Sequence, residues 1–209
     1  GIRDVERSRG LGDVYKRQAL KRHGRPPTFL RVAAPTGTAA FNMRFGATTI
    51  HRLIHWSTPH KWYNLSGHRL DRLQKAFAET FFLVFDETSM IGRKMNGRIH
   101  ARCKQAKPCS HNPHGHPTGG MSTVWTGDPA QCEAIGDQQH TDTKPRPQTG
   151  DTHAGSHIEL SNTGLAFYKS IERVNVLTKI HCVSCIENPQ TEDVRTSSCK
   201  CCGRYETWN

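Results

Sequence analysis

The stretch that decides the fold is FFLVFDETSM, Phe81–Met90. The apolar run Phe81–Phe85 predicts a β-strand buried on both faces, and it ends on two adjacent carboxylates, Asp86 and Glu87. Charges are unfavourable beside a buried strand unless they have a task there, and open α/β sheets bind ligands at the carboxyl ends of their strands. The pair is typical of a nucleoside triphosphatase, in which Asp86 would hold Mg²⁺ and Glu87 would deprotonate the attacking water. An ordinary strand running into an acidic turn is the alternative.

Two further predicted strands are each followed by residues suited to binding. Phe29–Ala33 precedes Pro35-Thr36-Gly37, and Ser122–Thr126 precedes the segment Gly127–Gln131. If the strands are parallel, these segments and the acidic pair meet at one edge of the sheet. The agreement of three segments favours a nucleotide site over three independent accidents.

Helical periodicity separates the predicted strands. Residues 67–79 predict an amphipathic helix, and a second helix follows the acidic pair; their apolar stripes are Leu70, Leu73 and Phe77, then Ile91, Met95, Ile99 and Cys103. Leu165–Tyr168 and Val174–Leu177 suggest a last strand or a helix–strand pair. Alternating strands and helices predict an α/β fold with a mostly parallel sheet.

The first eighteen residues are expected not to be natural protein. Ser8–Gln18 (SRGLGDVYKRQ) matches the translation of a transposon-end sequencing adapter, and residues 1–4 match that of the outer primer. We therefore exclude residues 1–18 from fold reasoning as an adapter artefact. The natural frame would then enter at Ala19, inside a gene.

Composition favours a polyanionic partner. The 209 residues carry a formal net charge of +11, and without the eighteen excluded residues 24 Lys and Arg against 15 Asp and Glu leave +9, which fits nucleic acid first. No apolar run approaches the roughly 20 residues that cross a bilayer, so we expect no membrane partner.

The cysteines raise the possibility of zinc. Five of the eight fall between Cys182 and Cys202, and Cys182 and Cys185 have a spacing that zinc sites use. The other three, Cys199, Cys201 and Cys202, are spaced irregularly, so we favour free thiols or a degenerate tail over a zinc site. His111, His114 and His116 lie in a segment rich in proline and glycine, where a solvated loop is favoured over a metal site.

Taken together, the motifs resemble those of a known family. AAPTGTAAFNMRFGATTIHRLI (Ala33–Ile54), FFLVFDETSMIGRKM (Phe81–Met95) and GDPAQCEAIGD (Gly127–Asp137) are similar to successive motifs of the petite-integration-frequency type DNA helicases, five-prime to three-prime motors of helicase superfamily one. The resemblance runs from about Leu30 to His181. It implies an incomplete sheet of the P-loop NTPase (RecA-like) type, and ATP-dependent unwinding of DNA in repair, recombination and telomere maintenance.

The resemblance implies roles for the nucleotide-binding residues. Asp86 would bind the Mg²⁺ of MgATP, and Glu87 would be the catalytic base. Gln131 would sense the γ-phosphate and couple its loss to domain movement. The cofactor would be Mg²⁺, and ATP the substrate.

The resemblance also implies contacts to single-stranded or forked DNA. Pro35-Thr36-Gly37 would touch the backbone of the strand, where a hydroxyl and exposed N–H groups suit phosphate. Thr49-Ile50-His51 would be a second strand-contacting element. Thr36 has a helix N-cap as an alternative or additional role. For His51 the alternative is a packed, hydrogen-bonded histidine.

The chain departs from the family pattern in three places. No segment of the form GxxxxGK[ST] occurs in the 209 residues. Cys132–Ile135 stands where the family has Leu-Pro-Pro-Val, and Leu177-Thr178 leads to His181 and Cys182 instead of an arginine finger. An arginine finger contributes several orders of magnitude to turnover, so we expect this chain alone to be inactive.

These considerations predict five segments. Residues 1–18 would be artefact, 19–137 a motor-domain fragment without its P-loop, 138–157 a flexible polar insertion, 158–181 the end of the motor domain and 182–209 a degenerate cysteine-rich tail. A non-enzymatic basic nucleic-acid-binding module and a zinc-binding interaction protein are the rival hypotheses. By resemblance the protein would act inside the cell, in nucleus or mitochondrion.

Overall fold

The computed structural model describes residues 16, 18–43, 45–56, 62–108, 116–128, 131–147 and 152–176, with the backbone alone for 152–156. The chain divides into two units, residues 1–171 and 172–209. The elements below belong to the first unit. In the second, residues 172–176 are described and have no regular secondary structure. The cysteines from Cys182 to Cys202, together with His181, His111 and His114, lie outside the described residues.

Within the described residues, four strands form one sheet. They are β1 (Leu30–Ala34), β2 (Thr48–Thr49), β3 (Phe82–Phe85) and β4 (Ser122–Trp125), in the order β2-β1-β3-β4. Each neighbouring pair is parallel. The predicted α/β class with a mostly parallel sheet is confirmed, and the three predicted strands lie within one residue of β1, β3 and β4. The two-residue strand β2 was not predicted, because it is too short to produce an alternating pattern.

One face of β3 is buried and the other is not. Leu83 and Phe85 are fully buried, whereas Phe82 is 41% exposed. On the neighbouring strand, Val124 is 48% exposed on the same face as Phe82, because residues paired in register share a face. The prediction of a strand buried on both faces is therefore wrong within the described part of the chain.

The helices follow the strands in the order expected of an α/β fold. They are α1 (Gly37–Met43), α2 (Ile50–Leu53), α3 (Gly67–Phe77), α4 (Arg93–Ala106) and α5 (Thr152–Lys169), with 3₁₀ turns at Pro27–Phe29 and Thr88–Met90 and a short helical stretch at 18–22. The helix predicted at 67–79 is confirmed as α3. None of the described helices is long and apolar enough to cross a membrane.

The main core lies between the buried face of the sheet and the helices α3 and α4. Leu73 and Phe77 of α3 meet Ile99 and Cys103 of α4 against the fully buried Leu83 and Phe85, in one cluster. Leu70 and Met95 pack on its margin. Both predicted apolar stripes are therefore core packing, and burial raises the pKa of the Cys103 thiol to about 12.

Helix α5 packs against α4 through two glycines. A methyl group on Gly97 would collide with the backbone oxygen of Leu160, and one on Gly164 would collide with that of Arg93. Because neither glycine has a side chain, the two helix backbones approach each other closely. Leu165–Tyr168, predicted as a strand or as part of a helix–strand pair, is helical, so the helix of the second alternative agrees with α5. Val174, also predicted in a strand, lies in irregular structure.

The segment predicted as a flexible insertion, 138–157, is partly held against α4. Its last residues, from Thr152, begin α5. Fully buried Arg93 donates to the backbone oxygen of Lys144 at 3.0 Å and to that of Asp142 at 3.2 Å. The Arg93 backbone N–H donates to the oxygen of Gln138 at 2.8 Å. Two backbone oxygens of this segment therefore accept hydrogen bonds from a buried guanidinium.

Asp137, immediately before this segment, caps α4. The residue before the helix is Gly92, which has no side chain to accept a hydrogen bond. The Asp137 carboxylate accepts instead from the backbone N–H of Lys94 at 3.1 Å and of Met95 at 3.0 Å. A methyl group on Gly92 would collide with the Asp137 side chain, so glycine is required for this approach. An anion at a helix N-terminus also interacts favourably with the helix dipole.

Candidate functional site

Three of the predicted segments meet at the carboxyl edge of the sheet. The strand ends are in register, with Ala33 beside Phe85 and Phe85 beside Trp125. Backbone hydrogen bonds continue one residue beyond the strands, from Asp86 N–H to the Ala33 oxygen at 3.0 Å and from Thr126 N–H to the Phe85 oxygen at 2.8 Å. The predicted convergence on one edge is confirmed. The chemical roles of the side chains stay predictions.

Asp86 is oriented by a residue of the next strand end. The Thr126 hydroxyl donates to Asp86 Oδ1 at 2.7 Å. The Asp86 side chain is half-exposed. Its carboxylate can therefore accept further hydrogen bonds or bind a cation while one oxygen is held by the hydroxyl. Sequence reasoning did not identify Thr126, although its place at the end of a predicted strand is the signal that could have found it.

Glu87 has an unusual backbone conformation. Its φ of 53° and ψ of 51° are left-handed, a region that residues other than glycine seldom occupy. Such strained positions cluster at functional sites, where the surrounding structure holds them in place. Glu87 sits immediately before the 3₁₀ turn Thr88–Met90, and its carbonyl oxygen accepts from Met90 N–H at 3.0 Å. The turn therefore fixes the direction in which the Glu87 side chain leaves the strand.

Three carboxylates create a negative field at this edge. Burial, followed by the charges of Asp86 and Asp128, raises the pKa of Glu87 above its ordinary value. A carboxylate with a raised pKa is a stronger base than a free one, which suits it to accept a proton from water. The same field would attract a cation. No group of three His, Cys, Asp or Glu side chains able to enclose a metal ion occurs among the described residues.

The segment after β4 passes close to the acidic turn. A methyl group on Gly127 would lie 2.5 Å from Thr88 Oγ1 and 2.6 Å from the Thr88 backbone nitrogen. Thr88 N–H also donates to the Thr126 oxygen at 3.1 Å. Glycine at position 127 thus lets the two loops pack together and sets Asp128 beside Glu87.

Gln131 lies in a turn after Asp128 and is exposed. Its backbone N–H donates to the Asp128 oxygen at 3.1 Å. The two residues between them, 129 and 130, lie outside the described residues. The turn keeps Gln131 on the side of the sheet where the acidic pair ends, and its role as a γ-phosphate sensor stays a prediction.

The two threonines predicted to contact DNA are both helix N-caps. Thr36 Oγ1 accepts from Ala39 N–H at 3.1 Å at the start of α1, and Thr49 Oγ1 accepts from Arg52 N–H at 3.3 Å at the start of α2. Their strands are neighbours, since Ala34 pairs with Thr49. The N-cap alternative for Thr36 is confirmed. The two helix starts therefore lie at the ends of neighbouring strands, and contact with phosphate stays a prediction.

His51 is packed in a stack. Its ring lies 4.8 Å from that of Trp56 with an angle of 12° between the planes, and the Arg98 guanidinium lies 4.1 Å from the Trp56 ring centroid. Burial, and then the charge of Arg98, lowers the pKa of His51. The geometry agrees with the packed-histidine alternative, and contact with DNA stays a prediction.

The fold and this edge define an α/β protein with an acidic pair at the end of a parallel strand. No protein-family model matches the chain, and no curated protein matches it. Several solved structures do, and those compared below are Pif1 helicases. One, of two coordinating Pif1 helicases at forked double-stranded DNA, is 24% identical with a TM-score of 0.41, and the match covers 59% of this chain and 28% of that one.

Two further structures are similar to the same degree. Bacteroides sp. Pif1 in complex with ADP-AlF4 is 23% identical with a TM-score of 0.40, over 59% of this chain and 27% of that one. Pif1 helicase from Candida albicans is 21% identical with a TM-score of 0.40, over 61% and 27%. The chain therefore spans between 27% and 28% of the length of these three structures.

Proposed function

We propose that this chain is part of the first motor domain of an ATP-dependent DNA helicase of the petite-integration-frequency type. The parent protein would couple ATP hydrolysis to DNA unwinding, and its partner would be single-stranded or forked DNA. The observation that carries the proposal is the convergence of Asp86, Glu87 and Asp128 at the edge where Thr36 begins a helix. By resemblance, the work of the parent lies in DNA repair, recombination and telomere maintenance.

The donor set at this edge suits Mg²⁺ carried by a nucleotide. Mg²⁺ is usually bound by one or two carboxylates together with phosphate oxygens and water, so an enclosing cage of protein ligands is not needed. Asp86, held by the Thr126 hydroxyl, is the residue that would hold the ion. Bound there, Mg²⁺ would neutralise charge on the phosphates.

Glu87 and Gln131 would act on the attacking water and the phosphate. The raised pKa of Glu87 supports a role as proton acceptor, and its strained backbone supports a fixed direction of the carboxylate. Gln131, exposed just beyond Asp128, would donate to the γ-phosphate. The phosphate-binding loop that completes such sites does not occur in the sequence, so we expect no turnover by this chain alone.

The proposed contact between Thr36 and DNA is tested by placing a negative charge at this N-cap of α1. Thr36→Asp and Thr36→Asn both keep an N-capping oxygen, so both should fold, but the Asp variant alone places a negative charge where phosphate would lie. Anisotropy of a labelled oligodeoxythymidylate should show clearly weaker binding for Thr36→Asp and little change for Thr36→Asn. Equal binding by both variants would remove Thr36 from the interface.

A non-enzymatic nucleic-acid-binding module is the second candidate, favoured by the net charge of +11. The two candidates differ at the acidic edge. In a motor fragment, MgADP or MgATP at millimolar concentration should perturb the environment of Asp86, and Asp86→Asn should abolish the effect. A binding module would be indifferent to nucleotide. DNA-stimulated ATP hydrolysis that is lost in Glu87→Gln would contradict the expected inactivity.

A further inference from the structure

A cavity of about 440 Å³ is lined by residues of α2, of α3 and of the segments beside them, and none of the acidic residues Asp86, Glu87 and Asp128 lines it. We call it the basic–aromatic cavity. It is lined chiefly by Arg52, Arg69, Arg72, Trp56, Tyr63 and Leu65, with His51 and His55 at its side. Its volume falls in the range of pockets that take small organic ligands, about 300–1,000 Å³.

The cavity is cationic. Arg52, Arg69 and Arg72 are exposed, and among the described residues no carboxylate lines the cavity. Neither of the two ion pairs found in that part of the chain, Arg93–Asp142 and Lys94–Asp137, involves any of the three arginines. Three guanidinium groups lining one cavity suit a phosphate, which they can bind through paired N–H groups.

Apolar and aromatic side chains also line the cavity. Trp56 and Leu65 are buried, and Tyr63 is half-buried. Trp56 contacts the His51 ring and the Arg98 guanidinium, and the Tyr63 hydroxyl accepts from Arg69 at 3.1 Å. Aromatic rings beside guanidinium groups are a combination that binds both the base and the phosphate of a nucleotide.

Hydrogen bonds within the protein hold the two sides of the cavity together. Arg102 is buried, and its guanidinium donates to the Ile54 oxygen at 3.0 Å and to the Tyr63 oxygen at 3.1 Å. It also donates to Gln105, whose side-chain oxygen accepts from Leu65 N–H at 3.3 Å. One buried side chain of α4 thus joins the segment after α2 to the segment before α3, which form the two sides of the cavity.

We propose that the basic–aromatic cavity binds one nucleotide unit of single-stranded DNA, with its phosphate on Arg52, Arg69 and Arg72 and its base against Tyr63 and the His51–Trp56 stack. The inference rests on the proposed function insofar as it takes single-stranded DNA as the partner. It adds a base-binding position beyond the phosphate contacts expected at Thr36 and Thr49. Because His51 follows Thr49 and lines the cavity, the strand would pass from the cap of α2 directly into it.

The test compares a double variant that removes two charges from the cavity with a control that removes two charges elsewhere. Arg69→Gln with Arg72→Gln removes two of the three arginines that line the cavity and leaves Arg52. Lys75→Gln with Arg146→Gln removes two exposed charges that do not line the cavity. With labelled (dT)10 and increasing salt, the cavity variant should bind at least tenfold more weakly, and the slope of log K against log salt should fall by about 1. The control should lose less than about threefold.

Equal losses in the two double variants would overturn the proposal and leave general electrostatic attraction as the explanation. If Thr36→Asp weakens (dT)10 binding and the cavity variant does not, the cavity proposal is overturned while the proposed function stands. The base is tested by comparing Tyr63→Leu, which removes the ring, with Tyr63→Phe, which keeps the ring and loses only the hydroxyl that accepts from Arg69. Tyr63→Leu should bind (dT)10 severalfold more weakly than Tyr63→Phe with the same salt slope, and equal affinities of the two variants would contradict base binding.

Free nucleotide is distinguished from a unit of a strand by titrating dTMP and inorganic phosphate into the protein and following the tryptophan indole resonances. If dTMP competes with (dT)10 at similar concentration, the ligand is a free nucleotide and the strand model is wrong. If the wild-type chain binds no oligonucleotide at low salt, the proposed function fails. In that case a shift of the tryptophan indole resonances by dTMP that is lost in the Arg69→Gln/Arg72→Gln variant supports nucleotide binding by the cavity. The absence of such a shift overturns nucleotide binding by the cavity.

Discussion

The backbone of Gly127 lies against Thr88, so close that a methyl group there would be 2.5 Å from the Thr88 hydroxyl oxygen. This approach joins the turn after β3 to the segment after β4. It brings Asp128 near enough to Glu87 to raise the pKa of that carboxyl group. The geometry of the acidic edge therefore depends on a residue that carries no functional group.

Gly127→Ala should separate the two loops. The added methyl must displace the Thr88 backbone, so we expect a loss of about 1–3 kcal/mol in the free energy of unfolding, measured by urea denaturation. Gly37→Ala is the matched control, because a methyl there meets nothing within 4 Å and Gly37 has no left-handed φ. A Gly127 variant as stable as the control would show that the loops can move apart freely.

Thr126→Val should release Asp86. The substitution keeps the shape of the side chain and removes the hydroxyl that donates to Asp86 Oδ1 at 2.7 Å. The expected loss of stability is about 1 kcal/mol, the usual net contribution of one hydrogen bond. Thr126→Ser restores the donor and should recover most of the loss. Equal stabilities of the valine and serine variants would mean that the hydrogen bond contributes nothing.

Asp137→Ala should weaken α4 at its first turn. Two backbone N–H groups, of Lys94 and Met95, lose their acceptor. We expect a loss of about 1–2 kcal/mol, and Asp137→Asn, which keeps an accepting oxygen, should lose less. Asp71→Ala removes an exposed carboxylate from α3 and serves as control. Thermal unfolding of the three variants side by side would rank them, and a loss in Asp71→Ala as large as in Asp137→Ala would contradict the capping role.

Glu87 should make stability depend on pH. Its folded pKa is raised above the ordinary value of 4.5, so the folded state keeps the proton to higher pH than the unfolded state does. Stability from this group is therefore full below pH 4.5 and falls as pH rises toward the folded pKa.

Glu87→Gln removes this dependence. The difference in unfolding free energy, variant minus wild type, should grow in favour of the variant from pH 4 upward and then level off. Denaturation at half-unit pH steps measures it directly. A constant difference across the range would mean that the Glu87 carboxyl titrates alike in the folded and unfolded states.

Local patterns were sufficient for the elements whose apolar period is clear. The stripe through Leu73 and Phe77 predicted α3, and the run from Phe81 to Phe85 predicted β3 to within one residue. The acidic pair was placed correctly at the sheet edge because parallel strands bring their carboxyl ends together. For Leu165–Tyr168 the pattern left a strand and a helix–strand pair open, and the segment is helical. The strand β2 was missed, because a two-residue strand depends on pairing with a distant segment and not on local propensity.

The sequence by itself determined the α/β class, the main strands and the acidic residues at the strand ends, because these depend on the apolar period and on residue type along a short stretch. Only the tertiary structure decided that Thr126 orients Asp86, that Asp137 caps α4 and that Arg102 joins the sides of the basic–aromatic cavity. These contacts connect residues 40, 43 and 48 positions apart. No local pattern specifies them, since each depends on how the helices pack on the sheet.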